Sequence, residues 1–237
     1  MGMSDVLRIL LLACCLSQTA VADRSETARI VVRENMPGSE PVEHRILVSP
    51  DFMRMDIVGD NSGYLLLDRK KRLIHNINLE DNTDLLISKS EISLKPPVPF
   101  ENETTEVEGG PLPAIAGHPT RHYRISTNHA VCHDIVVLDG ALQDAARALT
   151  ELNEVLASEQ AVGLATAPKE FVNDCELAAS VFEPGRQYRR GFPVREQDWR
   201  GRLRELIDFE ESFNADAGLF TVPDGLETMT MEEIRGE

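Results

Sequence analysis

Aromatic residues are scarce in this 237-residue chain: they make up 5% of it, and Trp199 is the single tryptophan. An aromatic-walled sugar site is therefore a poor reading. Positive charge is equally short, with 24 Lys and Arg against 40 Asp and Glu, a formal net charge of −16. Phosphate backbones select net positive partners, so this balance excludes non-specific nucleic-acid binding. No apolar run reaches the roughly 20 residues that a membrane-spanning helix requires. Catalytic signatures are missing too. The chain has no Gly-x-Ser-x-Gly elbow, no His-Glu-x-x-His and no Gly-x-x-x-x-Gly-Lys loop. Its adjacent carboxylates, Glu210-Glu211 and Glu232-Glu233, point to opposite sides of any strand that carries them. The expectation is a soluble, non-catalytic protein with no cofactor.

What is present begins at the N-terminus. Asp5 and Arg8 lead into an apolar run from Ile9 to Leu16, and Ala20-Val21-Ala22 supplies a small-x-small exit. That is the pattern of a secretory signal peptide, residues 1–22, cut before Asp23. A lipoprotein box at Leu11-Leu12-Ala13-Cys14 competes with it. However, only Ile9 to Ala13 would then separate Arg8 from the modified cysteine, short of the roughly 7–15 apolar residues such a segment needs. Of the four cysteines, Cys14 and Cys15 leave with the signal, and Cys132 and Cys175 remain. In an exported chain these two are expected to form a structural disulfide. A redox pair would sit two residues apart in a Cys-x-x-Cys turn.

Residues 23–237 are expected to form one domain. Hydrophobic content of 42% and charged content of 27% describe an ordinary globular chain. Between Ala28 and Ser88 short apolar runs alternate with turn signals. In Phe52–Val58, Met53, Met55 and Ile57 alternate with Arg54 and Asp56, the period of a half-buried strand. Strands joined by such short links pair with their neighbours, so the segment reads as an antiparallel meander. Residues 95–117 carry Pro96, Pro97, Pro99, Pro111 and Pro113 and read as a long connection without a ladder. Strands resume at Arg121–Ser126 and Val131–Leu138. A helical insertion follows over about 140–183. Leu142, Ala145, Leu149, Leu152 and Leu156 form one stripe of its first helix. A second helix is expected from about Pro168, with Phe171, Cys175, Ala178 and Phe182 on its buried face. Gln187–Val194, Arg202–Glu210 and Leu219–Val222 read as closing strands, with a frayed acidic tail after Met231.

Two clusters carry possible chemistry. His118, His122, His129, Cys132 and His133 are the densest ligand-type group. Neighbouring strand residues face opposite ways, and a zinc site needs three or four convergent ligands, so no metal is assigned. From Arg186 to Arg204 the chain holds seven arginines against Glu196 and Asp198. A basic edge for an acidic partner and plain pairing with the surplus acids are both open. Arg200, Arg202 and Arg204 are the candidates for a partner-binding surface.

Met53-Arg54-Met55-Asp56, then Gly63-Tyr64-Leu65-Leu66-Leu67-Asp68 and Arg72-Leu73-Ile74-His75, together with Gly117-His118-Pro119-Thr120-Arg121-His122-Tyr123, resemble the periplasmic LolA/LolB-like lipoprotein-carrier fold. The similarity covers about residues 28–158. It implies an α+β fold in which a curved antiparallel sheet, an incomplete β-barrel, is covered by helices. It further implies a periplasmic address and a concave apolar face that receives a lipid, an acylated protein or another apolar ligand. Carriers of that group begin with an N-terminal helix, for which Asp23–Thr27 is too short. The candidates for the inward face are Met53, Met55, Ile57, Leu65, Leu67, Leu73 and Ile77, lining either a cavity or a closed core. An envelope protein partner bound by the arginine-rich surface is the alternative.

Overall fold

The computed structural model describes residues 27–236 except 92–94, 97–98, 111 and 168–171. The expected signal segment 1–22 and the expected helix start at Pro168 with Phe171 lie outside the described residues.

Six strands open the described chain: β1 (Thr27–Asn35), β2 (Val42–Val48), β3 (Phe52–Ile57), β4 (Gly63–Asp68), β5 (Leu73–Asn78) and β6 (Thr83–Ser88). Each pairs antiparallel with the next, as the turn signals between them require. Gly63 opens β4 because a Cβ there would collide with the carbonyl oxygen of Ile77 on β5. A second run follows with β7 (Asn102–Glu106), β8 (Thr120–Thr127) and β9 (Ala130–Leu138). The β8–β9 turn is Asn128-His129, both at positive φ, the two-residue form that matches strand twist.

The helical segment comes next: α1 (Gln143–Thr166), α2 (Asp174–Leu177) running into a π-turn at Ala178–Phe182, and a 3-10 turn at Arg186–Tyr188. Then β10 (Pro193–Asp198) and β11 (Leu203–Phe213) complete the second run. β11 pairs with β1 and joins the two runs into one sheet. β12 (Glu227–Thr230) adds in parallel beside β6. The result is a twelve-stranded, mainly antiparallel sheet in the order β12-β6-β5-β4-β3-β2-β1-β11-β10-β9-β8-β7, open at both ends, with α1 packed on it. This is the α+β curved-sheet class expected from the sequence.

The main core lies between one face of the sheet and α1. Leu142, Ala145, Leu149 and Leu152 of the expected stripe are buried there, with Leu156 partly buried beside them. They meet Ile30, Val32, Ile46, Val48, Met53, Leu67 and Ile74 from β1 to β5. Burying a large aliphatic side chain in this way stabilises by about 1.5–3 kcal/mol before entropy is counted. Ion pairs fix the helix at its polar edge. The buried Arg69 side chain donates to Asp144 at 2.7 and 2.9 Å and to Glu151 at 2.7 Å. Glu154 accepts from Arg72 and Lys89 at 3.3 and 3.2 Å.

Several expectations are corrected. Met53, Leu67, Ile74 and Ile87 are cross-strand partners in turn, so they share the face that meets α1. Leu73 pairs with Asp68 and Ser88, and Ile77 with Tyr64 and Asp84, which puts both on the opposite face. One residue of register exchanges every side chain between faces. Ile57, at the end of β3, is exposed. Ile77 instead joins Tyr64 and Leu66 in a small cluster covered by Phe220, Val222 and Leu226.

The segment 95–117 does hold a strand, β7. No proline interrupts Asn102–Glu106, and its backbone pairs with β8 from Asn102↔Thr127 to Glu106↔Tyr123. Residues 187–192 form a turn rather than a strand, buried except at Arg189 and Arg190, and pairing begins at Pro193. Ala217–Phe220 is a 3-10 turn whose Phe220 stacks on Phe52 at 6.1 Å, while the closing strand is β12. The tail after Met231 forms α3 (Met231–Arg235), started by a capping box between Thr230 and Glu233.

Candidate functional site

The helical segment returns to the sheet near β8 and β9, and the Cys132–Cys175 disulfide anchors it there, joining β9 to α2 across a separation of 43 residues. Asn173 caps α2 by accepting from the Glu176 N–H at 2.9 Å, and Asn128 in the β8–β9 turn donates to Asp174 at 2.8 Å. The π-turn ends at Glu183. Gly185 then passes so close to Thr150 of α1, at φ +70°, that a Cβ would lie 2.7 Å from the Thr150 Cα. Only glycine fits that approach without strain. It delivers Arg186 into the protein.

Arg186 is 5% exposed. Its Nη1 donates to Asn102 Oδ1 at 2.9 Å and to Thr127 Oγ1 at 2.6 Å, and the Thr127 hydroxyl donates to Asn102 Oδ1 at 2.8 Å. Its Nε and Nη2 are buried and have no hydrogen-bond partner among the described residues. No carboxylate among those residues lies within ion-pair distance of it, in contrast to the other buried guanidinium, Arg69. Burial therefore pulls the Arg186 pKa down to about 10, against the partly compensating charge of Glu183.

Arg186 lines a cleft of about 400 Å³ with Arg189, Arg190, Glu183, Glu103 and Ile125. Arg189 pairs with Glu183 at 2.6 Å, and the Arg190 guanidinium lies 5.7 Å from the centre of the Tyr123 ring. Three guanidinium groups thus surround one cleft in a strongly acidic protein. Such a group binds anions through charge and directed N–H donors.

The residues singled out in the sequence are distributed differently. Met53 and Leu67 are fully buried against α1, Met55 and Leu65 pack partly buried beside them, and Ile57, Leu73 and Ile77 are elsewhere. Arg200, Arg202 and Arg204 each have partners within the chain. Arg200 donates to Glu176 and stands over the Trp199 ring. Arg202 reaches Asp198 at 3.0 Å, Glu34 at 3.4 Å and Glu196 at 3.6 Å, and Arg204 donates to the Tyr188 hydroxyl at 2.7 Å.

Beneath them lies the buried pair of His133 and Glu196 at 3.1 Å. Burial pushes the Glu196 carboxyl up, but the His133 hydrogen bond and the charges of His133, Arg202 and Arg204 outweigh it and hold the carboxyl below its usual range. The histidine cluster disperses. His122 bonds Asp134, His129 sits exposed near Glu101, His118 is near Glu211, and His133 is buried. Among the described residues, no three His, Cys, Asp or Glu side chains group so as to hold a metal. No helix among the described residues is long and apolar enough to cross a membrane.

The sequence pointed to the arginine-rich stretch, Arg186 included, but Arg200, Arg202 and Arg204 were its candidates, and nothing linked Arg186 to Asn102 and Thr127. The available signal was Pro184-Gly185, which stops the preceding helix and turns the chain inward.

No protein-family model matches the chain, and no curated protein matches it. Among solved structures it is similar to an uncharacterized conserved protein from Thermus thermophilus, at 11% identity over 87% of this chain and 91% of that one, with a TM-score of 0.44. It is also similar to PNGF-II, at 9% identity over 88% of this chain and 31% of that one, with a TM-score of 0.41. MucB gives 10% identity over 87% of this chain and 60% of that one, with a TM-score of 0.39. These likenesses are remote, and none of them lends this chain a function.

Proposed function

We propose that this chain is an exported, non-catalytic binding protein of the bacterial periplasm that meets an envelope partner at the arginine-lined cleft. The observation that carries this reading is a contrast between two places. The apolar face beneath α1 is filled at Met53, Leu67 and Ile74, each at 0% exposure, and a cleft of about 390 Å³ opens at the start of the helix beside Ala28, Val48, Leu142 and Ala145. The cleft at Arg186, Arg189 and Arg190 is open and carries charge opposite to the net charge of the chain. Arg200, Arg202 and Arg204 are engaged internally and Arg189 is paired with Glu183, so the contact falls on Arg190, which meets only the Tyr123 ring among the described residues. The signal-like start and the disulfide support export, because disulfides persist in oxidising compartments.

A lipid, an acylated protein or another apolar ligand held beneath α1 is the second reading. One feature favours it: ion pairs from Arg69, Arg72 and Lys89 hold α1 along its polar edge. A helix released at those contacts would bare a continuous apolar face.

Native mass spectrometry of the processed protein, with lipid extraction alongside, separates the readings. A mass two hydrogens below the reduced value with no acyl chains is expected. Acyl chains in near-stoichiometric amount would overturn the cleft reading in favour of the interior one. Partner capture from envelope extracts should be lost in Arg190→Glu, and capture that is unchanged in that variant counts against the cleft.

A further inference from the structure

The cleft has a more specific chemistry than its charge alone conveys. We infer that it takes an oxyanion, a phosphate or a carboxylate group, held side-on by the Nε–Nη2 edge of Arg186. The biological use of such a site rests on the cleft being the contact surface proposed above, but its binding chemistry stands on separate observations.

The first observation is the pattern of occupied donors. Asn102 and Thr127 take Nη1, and the two unpartnered nitrogens are Nε and Nη2. Those two N–H groups lie parallel along one edge of the guanidinium, the fork that matches two oxygens of a carboxylate or phosphate. The same edge is used in this way elsewhere in the chain. Arg45 presents Nε and Nη2 to the two carboxylate oxygens of Asp56 at 2.9 and 2.8 Å. At Arg186 the edge is complete and the carboxylate is missing among the described residues.

The second observation is burial. A guanidinium removed from water without a partner is costly, and an arriving oxyanion relieves that cost. Water is largely shut out around this edge, so each hydrogen bond formed there is stronger than on an open surface. The depressed pKa of Arg186 has the same origin.

The third observation is the rim. Arg190 adds charge where a ligand enters, while Glu183 is held by Arg189 and Glu103 accepts from the Thr105 hydroxyl. Those two carboxylates disfavour a polyanion, so a single anionic group is the matched ligand. Gly185 and the disulfide fix the turn that bears Arg186, so the position of the guanidinium is set before a ligand arrives, while the cover over its Nε–Nη2 edge has to open to admit one.

The test is isothermal titration calorimetry of the processed, oxidised protein at constant ionic strength. One titrant is inorganic phosphate, a second is acetate, and chloride is the control. Saturable one-site binding of phosphate or acetate is expected, and the tighter of the two identifies the source of the oxyanion. Arg186→Lys keeps the charge but loses the fork, and should weaken binding about tenfold, the equivalent of one charge-assisted hydrogen bond. Should that variant not fold, as judged by circular dichroism, the rim pair Arg189→Gln with Arg190→Gln carries the test and should also weaken binding. Arg195→Gln, outside the cleft, should leave it unchanged. Absence of saturable binding, or binding equal in wild type and folded cleft variants, overturns the inference. Phosphate or acetate binding without partner capture would sink the proposed function and leave this site standing.

Discussion

Leu67→Ala distinguishes a packed interior from a ligand cavity. Leu67 is 0% exposed on β4, with Met53 and Ile74 beside it across the ladder and the Ala and Leu stripe of α1 over it. The truncation removes buried carbon and leaves a void that a ladder and a helix on opposite sides can only partly close. Core Leu→Ala changes cost about 2–5 kcal/mol, and the rigid surroundings put this one near ~3 kcal/mol. For a domain of this size, each kcal/mol lowers Tm by about 2–4 °C, giving a fall of about 6–12 °C. Ile57→Ala serves as the reference, because an exposed side chain should cost within about 0.5 kcal/mol. Urea unfolding followed by far-UV circular dichroism gives both values and shows whether the m-value is conserved. A Leu67→Ala loss below about 1 kcal/mol with m unchanged would refute a close-packed core. It would return weight to an acyl ligand beneath α1.

Reducing the Cys132–Cys175 bond, or replacing both residues by Ser, should cost about 4 kcal/mol by the chain-entropy argument for a loop of 43 residues. Thermal melts with and without reductant check this, and coincident melts would refute a stabilising bridge. Arg69→Met should cost about 2 kcal/mol, because it removes charge-assisted hydrogen bonds to Asp144 and Glu151 and leaves Asp144 with Arg147 alone. Hydrogen exchange should then rise first in α1, whereas uniform protection would count against a docking role. Burial pushes the Asp144 carboxyl up, but its bonds to Arg69 and Arg147 and their charges hold it below the usual range, and Glu196 is depressed likewise. A depressed carboxyl contributes stability above its unfolded pKa and loses it as pH falls through the folded one. Stability should therefore be level from pH 7 to about 5 and decline below about 4. Equal stability at pH 7 and pH 3 would contradict these pairings.

The first meander was legible because each of its turns is marked by polar or glycine residues and β3 alternates cleanly. Register was harder. In Leu73-Ile74-His75-Asn76-Ile77 both parities carry aliphatic residues, so alternation alone cannot say which face is inward. The answer came from Leu67↔Ile74 pairing across a four-residue turn. β7 was hidden for a different reason: Asn-Glu-Thr-Thr-Glu is exposed throughout, on the last strand of the sheet, so no apolar pattern reports it. β12 pairs in parallel with β6, far away in sequence, which no local signal encodes. The disulfide was legible from arithmetic, because setting aside the expected signal segment leaves two cysteines.

The arginine-rich stretch shows why composition located the region of the candidate site but not the site itself. Seven arginines between 186 and 204 look alike in sequence, and their differences are set by what the fold brings to each one. Arg189, Arg200 and Arg202 end on carboxylates from Glu183, Glu176, Glu34 and Asp198, and Arg204 ends on a tyrosine hydroxyl. Their charge is used in holding the helical segment, the second run of strands and β1 together. Arg186 is the most deeply buried of the seven and receives only neutral oxygens from Asn102 and Thr127. A fold with 40 acidic residues had ample means to place a carboxylate there. Burying a cation on neutral acceptors, at a glycine-dependent turn pinned by a disulfide, lowers stability relative to pairing it. The arrangement is explained if the missing oxygens belong to a ligand, and Arg186→Met then provides the discriminating measurement. An apolar replacement of similar length removes the buried charge, so it should leave stability unchanged or raise it by about 1–4 kcal/mol while abolishing phosphate and acetate binding. Destabilisation by more than about 2 kcal/mol would show that Arg186 serves the fold through Asn102 and Thr127, and the explanation by ligand would fail.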